Sequence, residues 1–129
     1  ADENARRYGV SNRISLLPGD LLEPISHAVD IIVSNPPYIP TGDINCLPTE
    51  IGHEPRQALD GGPDGLHLLR RLLAQAPAKL KRGGCMLVEL SPEQMDDAER
   101  MAQAAFPSAG VSHAHDLLGL ARVLIIKTK

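Results

Sequence analysis

The sequence predicts an α/β fold with a mixed sheet, on three observations. First, Val29-Asp30-Ile31-Ile32-Val33 and Cys85-Met86-Leu87-Val88-Glu89-Leu90 are short apolar runs; the first is rich in β-branched residues, and both read as buried strands. Second, Leu66, Leu69, Leu72, Leu73, Ala76 and Leu80 recur between them at helical spacing, the pattern of a helix with one face in a core. Third, Val111 to Asp116 and Ala121 to Lys127 flank Leu117-Leu118-Gly119-Leu120. A loop that short predicts an antiparallel closing hairpin.

Taken in order, Ala1 to Tyr8 reads as the end of a helix, with Gly9 as its C-cap signal. Arg13-Ile14-Ser15-Leu16-Leu17 alternates as a strand would and ends in Pro18-Gly19-Asp20-Leu21-Leu22. There Asp20 either closes a turn or caps a short helix. The strand at Val29 stops abruptly in Ser34-Asn35-Pro36-Pro37-Tyr38-Ile39-Pro40. Neither proline can donate to a ladder, and each biases the residue before it to an extended conformation. The result is a stiff loop at the carboxyl end of a strand, which is where open α/β sheets bind ligands.

From Pro40 to Gly62 no period holds. A long loop around Leu47 to Ile51 is expected, and loops of that length in compact domains are usually functional or disordered. Because it follows the stiff loop directly, it reads as a substrate-facing lid, pinned by Glu54-Pro55 and Arg56. The alternative for Glu54 and Arg56 is a solvated pair worth under about 1 kcal/mol. Asp60-Gly61-Gly62-Pro63 is expected to open the leucine-faced helix, with proline in its first turn, and Pro77 to end or kink it near Ala76. Lys81-Arg82-Gly83-Gly84 reads as a turn. Ser91-Pro92-Glu93 starts the last helix, Ser91 as N-cap and Pro92 at its first position. Met95, Ala98, Met101, Ala102 and Ala105 supply its inner face.

Composition sets bounds. At 129 residues, one unit spanning 1–129 is expected. Apolar residues make up 43%, enough for a core, yet only two Tyr and one Phe are present; Tyr38 is one of these three, so more than core filling is expected of it. The net charge is −3, from 13 basic and 16 acidic residues, and no basic run stands out, which argues against a large nucleic-acid footprint. Cys46 and Cys85 lack metal spacing and make no disulfide framework. No signal peptide or membrane span is visible, so a reducing, cytoplasmic setting is expected. His113 and His115 point to one face of a strand, but no third ligand stands at a telling distance and no metal site is expected.

The stiff loop suits recognition of a planar NH2 group. The Asn35 side-chain oxygen can accept one hydrogen bond and the Pro36 carbonyl, held in a fixed direction, a second. Tyr38 offers a flat face with a polar tip. Two acceptors on one nitrogen orient it toward an electrophile and favour the positive charge that develops as it attacks. The plainer alternative is a proline-rich turn that closes a core strand.

Asn35-Pro36-Pro37-Tyr38 after an apolar strand resembles the signature of class I methyltransferases that use S-adenosylmethionine to methylate amide or exocyclic amino nitrogens. Glu54-Pro55-Arg56-Gln57-Ala58-Leu59-Asp60-Gly61-Gly62-Pro63-Asp64-Gly65-Leu66 closely resembles the stretch that follows this motif in the HemK/PrmC family, the glutamine methyltransferases of peptide chain release factors. The resemblance implies that Asn35 and Pro36 bind the target amide and act as the catalytic pair, with Pro37 and Tyr38 completing the substrate site. It implies that Asp20 and Leu21 flank the adenine of the cofactor, near Asn35. Leu21 departs from the aromatic residue some members carry there. It implies structural roles for Asp116, Gly119 and Arg122. Family members usually carry Gly after the acid that ends the fifth strand; here Glu89 is followed by Leu90-Ser91-Pro92, which leaves Glu89 without an assigned role.

No Gly-rich strand-to-helix turn occurs in the sequence. In the family that turn holds the methionine and ribose of the cofactor, and an acid ending the second strand binds the ribose hydroxyls. The resemblance therefore implies the C-terminal part of a methyltransferase domain: a partial Rossmann-like class I fold lacking its first two strands, inactive by itself. The family's sheet order is 3-2-1-4-5-7-6. Without strands one and two, the strand at Arg13 loses its partner and the strand at Val29 becomes an apolar edge, open to re-pairing or self-association. The expected function of the parent is methylation of a glutamine side-chain amide in a release factor. The alternatives are an adenine-directed nucleic-acid methyltransferase, which shares the four-residue motif, and a non-catalytic binding module.

Overall fold

The computed structural model describes residues 1–48 and 54–129. Four strands form one mixed sheet: β1 (Val29–Ser34), β2 (Leu80–Glu89), β3 (Gly110–His115) and β4 (Ala121–Lys127), in the order β1-β2-β4-β3. β1 runs parallel to β2, and the other two pairings are antiparallel. This is the 4-5-7-6 part of the expected order, with the closing hairpin where it was anticipated. The helices are α1 (Asp2–Arg7), α2 (Arg56–Leu59), α3 (His67–Gln75) and α4 (Met95–Ala105). Among the described residues no helix is long and apolar enough to cross a membrane.

The core lies on one face of the sheet. Ile32, Met86, Val88, Leu124 and Ile126 point from alternate strand positions into it, and Leu69, Leu72, Leu73, Met95, Ala98 and Ala102 meet them from α3 and α4. Each such Leu, Ile, Val or Met side chain contributes about 1.5–3 kcal/mol by leaving water. The opposite face is not covered in the same way. Ile31 and Val33 are 61% and 73% exposed, and Leu87 and Ile125, which follow Val33 in cross-strand register, are only half-buried. β1 is also an edge strand. Its β-branched run predicts burial, but only Ile32 is fully buried; Val29 packs partly against the core, while Ile31 and Val33 lack a layer to pack against.

Several expectations are corrected. Arg13 to Leu17 forms no strand. Ser11–Arg13 is a 3₁₀ turn, and Ile14, Leu16 and Leu17 remain 46%, 53% and 55% exposed, because alternation without a neighbouring strand satisfies no backbone groups. α3 starts at His67 rather than in the first turn after Gly61-Gly62-Pro63, since those residues make a tight turn against the Tyr38 segment. Leu80 belongs to β2, not to the helix, which gives way to a 3₁₀ turn containing Pro77. Lys81 to Gly84 is strand rather than turn, with a register irregularity opposite Val29–Ile31. The 40–62 stretch is not all loop, for it contains the 3₁₀ turn Ile44–Cys46 and α2. The part of the expected lid up to Ile51 that falls in residues 49–53 lies outside the described residues.

The N- and C-terminal readings hold. Gly9 follows α1 at φ +66, the left-handed conformation that a C-cap glycine supplies. Asp116 organises the β3–β4 turn by accepting from the backbone N–H of Leu118 and Leu120 and from Arg122 Nε, and Gly119 takes φ +79. His113 pairs with Glu99 of α4 at 2.6 Å and stacks edge-on against His115. Among the described residues no group of three His, Cys, Asp or Glu gathers to hold a metal.

Candidate functional site

Asn35 to Pro40 leaves the carboxyl end of β1 as expected, and the structure shows what holds it there. The segment 39–41 runs beside 59–62. Ile39 N–H donates to the Leu59 carbonyl (3.1 Å), Gly61 N–H to the Ile39 carbonyl (2.8 Å), and Thr41 N–H to the Gly62 carbonyl (2.9 Å). Asp60 closes this clamp. Its carboxylate accepts from Thr41 Oγ1 at 2.6 Å, from Gly62 N–H at 3.0 Å and from Arg56 Nε at 3.3 Å. The Thr41 hydroxyl and then the Gly62 N–H hold the Asp60 carboxyl below its ordinary pKa. A lowered carboxylate pKa adds stability above the unfolded value and loses it as pH falls through the folded one, so the clamp is intact at neutral pH. Arg56 thus pairs with Asp60, not with Glu54.

The glycines of the same turn permit close approach. A Cβ on Gly61 would lie 2.8 Å from the Pro37 carbonyl oxygen and 2.6 Å from that of Gly65. Gly65 takes φ +74, and a Cβ there would collide with the Tyr38 carbonyl and with the Gln94 side chain. Asp64 accepts from Leu66 N–H at 3.1 Å and from both terminal nitrogens of Arg70. The Arg70 guanidinium, and next the Leu66 N–H, hold its carboxyl far below the usual range.

Asn35, Pro36, Pro37 and Tyr38 line one cavity of about 260 Å³ together with Glu54, Ala58 and Leu59. Pro36 is buried and Asn35 exposed, and among the described residues no hydrogen bond ties down the Asn35 side chain. Asn35 lines the cavity without such a bond. Tyr38 is half-buried and packs partly against the core, and it also lines this cavity. A second cavity of about 540 Å³ opens on the other side of Tyr38, lined by Pro40, Asp43 and Leu47 from the expected lid and by Asp64, Glu93 and Gln94. Pro40, Asp43 and Leu47 thus border this second cavity rather than the one lined by Asn35.

Asp20 and Leu21 do not join this cavity. The Asp20 carboxylate is paired with Arg71 of α3, and Leu22 N–H donates to Gln75 Oε1 at 2.8 Å. The segment forms a turn, not a capped helix, and Leu21 takes φ +50. No hydrogen bond or ion pair among the described residues links it to Asn35. Glu89, half-buried at the end of β2, makes no side-chain bond among the described residues. Sequence reasoning missed Thr41, Asp60, Gly61 and Gly65 as site supports, and it missed Gln94. The spacing Ser91-x-x-Gln94 is a capping-box signal and marks Gln94 as special, though not its long-range partners.

Comparison with known proteins adds to this geometry. No protein-family model matches the sequence. The release factor glutamine methyltransferase of Moorella thermoacetica is 45% identical over 105 residues, 81% of this chain and 37% of that protein. The chain is related by sequence to the release factor glutamine methyltransferases. The ribosomal protein uL3 glutamine methyltransferase of Bordetella pertussis is similar too, 43% identical over 108 residues, 83% of this chain and 35% of that protein. The chain spans less than half the length of either glutamine methyltransferase. Among solved structures, the release factor-specific protein-(glutamine-N5) methyltransferase of Alicyclobacillus acidocaldarius superposes with a TM-score of 0.53 at 28% identity, over 79% of this chain and 50% of that one. The ribosomal protein L11 methylase of Lactobacillus delbrueckii subsp. bulgaricus gives 0.65 at 19% identity, over 99% of this chain and 50% of that one, and supports the fold alone. The mixed α/β sheet is that of class I methyltransferases.

Proposed function

We propose that the chain is the C-terminal part of the catalytic domain of an S-adenosylmethionine-dependent methyltransferase that modifies the side-chain amide nitrogen of glutamine in a peptide chain release factor. The observation that carries this reading is the braced Asn35–Tyr38 loop at the carboxyl end of β1, with exposed Asn35 lining a cavity. The Asn35 side-chain oxygen accepts one N–H of the glutamine amide and the Pro36 carbonyl the other. Pro37 and Tyr38 wall the site, and Tyr38 shields the amide from water. Two acceptors at fixed angles turn the nitrogen toward its electrophile, so positioning supplies most of the acceleration.

The residues present do not form a pocket for the whole cofactor. Asp20 is engaged by Arg71, and neither Asp20 nor Leu21 lines the cavity that holds Asn35. The remainder of a longer protein would hold the cofactor, and residues 1–129 alone would be inert.

Incubation of the full-length protein and of residues 1–129 with methyl-labelled S-adenosylmethionine, a release factor and nucleic acid tests this. Label should enter the release factor with the full-length protein only. Label in nucleic acid alone would favour the adenine-directed alternative, and transfer by residues 1–129 would contradict the division of labour.

A further inference from the structure

Gln94 is the polar side chain that is buried among the described residues, at 8% exposure. Its Oε1 accepts from Ser91 N–H at 3.3 Å. Its Nε2 donates to the Tyr38 carbonyl at 2.9 Å and to the Asp64 carbonyl at 3.2 Å. Both amide hydrogens and one acceptor position are therefore used, and one side chain joins the end of β2, the reactive loop and the glycine turn. A capping residue at this spacing needs only the oxygen, and Glu serves that purpose as well as Gln. Only an amide can also donate twice. The donors, not the cap, account for Gln here.

We propose that Gln94 is a positioning residue for the target amide. By holding the Tyr38 carbonyl against the 60–66 turn, it fixes the direction of the Asn35 side chain and the Pro36 carbonyl three and two residues upstream. The proposal rests on the functional reading above. It makes sense of Gly65 as well: a Cβ there would occupy the space in which the Gln94 amide meets Tyr38. Gln94 also lines the larger cavity beside Tyr38, so its loss would be felt on both sides of the loop.

The test uses Gln94→Glu and Gln94→Met in the full-length protein. Gln94→Glu keeps the cap to Ser91 and removes both donors, turning a carboxylate toward two carbonyl oxygens. Gln94→Met removes everything but bulk. In both, kcat for methyl transfer should fall at least about tenfold, the scale of one lost orienting interaction, while KM for the cofactor stays within about twofold. Hydrogen exchange at the Ile39 and Gly61 amides, which close the clamp, should quicken at least about tenfold. Lowering the pH should restore part of the Gln94→Glu activity and none of that of Gln94→Met, because a protonated carboxyl donates once. Burial raises the pH at which this happens, Asp64 and Asp97 nearby being paired with Arg70 and Arg100. Wild-type kcat and wild-type exchange in folded variants would overturn the proposal. If Gln94→Met does not fold, Gln94→Glu decides. If the wild-type protein transfers no methyl at all, the functional reading fails, and unchanged exchange at Ile39 and Gly61 would sink the clamp separately.

Discussion

Asn35→Ala in the full-length protein should lower turnover by at least about a hundredfold, the loss seen when one preorganised polar group is removed from a reacting centre. Stability should hardly change. The residue is exposed and its side chain makes no hydrogen bond among the described residues, and exposed substitutions of this kind fall within about 0.5 kcal/mol. That split between activity and stability is the mark of a side chain kept for a ligand. Asn35→Asp keeps an acceptor oxygen and should lose less. Near-normal turnover in Asn35→Ala, measured with saturating substrate, would remove the amide-binding role.

Gly65→Ala should be the most damaging change outside the loop itself. An alanine at φ +74 carries about 1–2 kcal/mol of backbone strain, and its Cβ would collide with the Tyr38 carbonyl. The colliding atom is backbone, so the relief must come from movement of the reactive loop. Turnover should fall more than about tenfold beyond any loss of stability. Gly9→Ala is the control. It imposes the same kind of strain at φ +66, but nothing lies within 4 Å of its Cβ, so it should lower the melting temperature without touching kcat. Equal kcat in both variants would show that the contact between Gly65 and Tyr38 is only structural.

Much of this was legible in the sequence. The β-branched run, the leucine face of α3 and the hairpin after Asp116 fix three local structures by period and turn chemistry, and all three formed. The two prolines after Asn35 gave the stiff loop its place at a strand end. What was not legible depends on partners far along the chain. Arg13 to Leu17 alternates well, yet a strand needs a neighbour, and β1 offers it none. Asp60-Gly61-Gly62-Pro63 carries helix-start residues, but the demand for close approach to Pro37 and Tyr38 turns it into a brace. Gln94 bonds residues 56 and 30 positions away, a relation no local pattern contains. The position of β1 at the sheet edge was foreseen only through the family's strand order, and the exposed face of Ile31 and Val33 was not foreseen, since the run itself reads as buried.

On the proposed reading, the Asn35–Tyr38 loop holds a glutamine amide for methylation. Mass-spectrometric mapping of a release factor after reaction with the full-length protein tests it most directly. A single added methyl is expected on the side-chain amide nitrogen of one glutamine, absent with Asn35→Ala. A methyl carried on any other residue type, or the same modified glutamine produced at wild-type rate by Asn35→Ala, would contradict it.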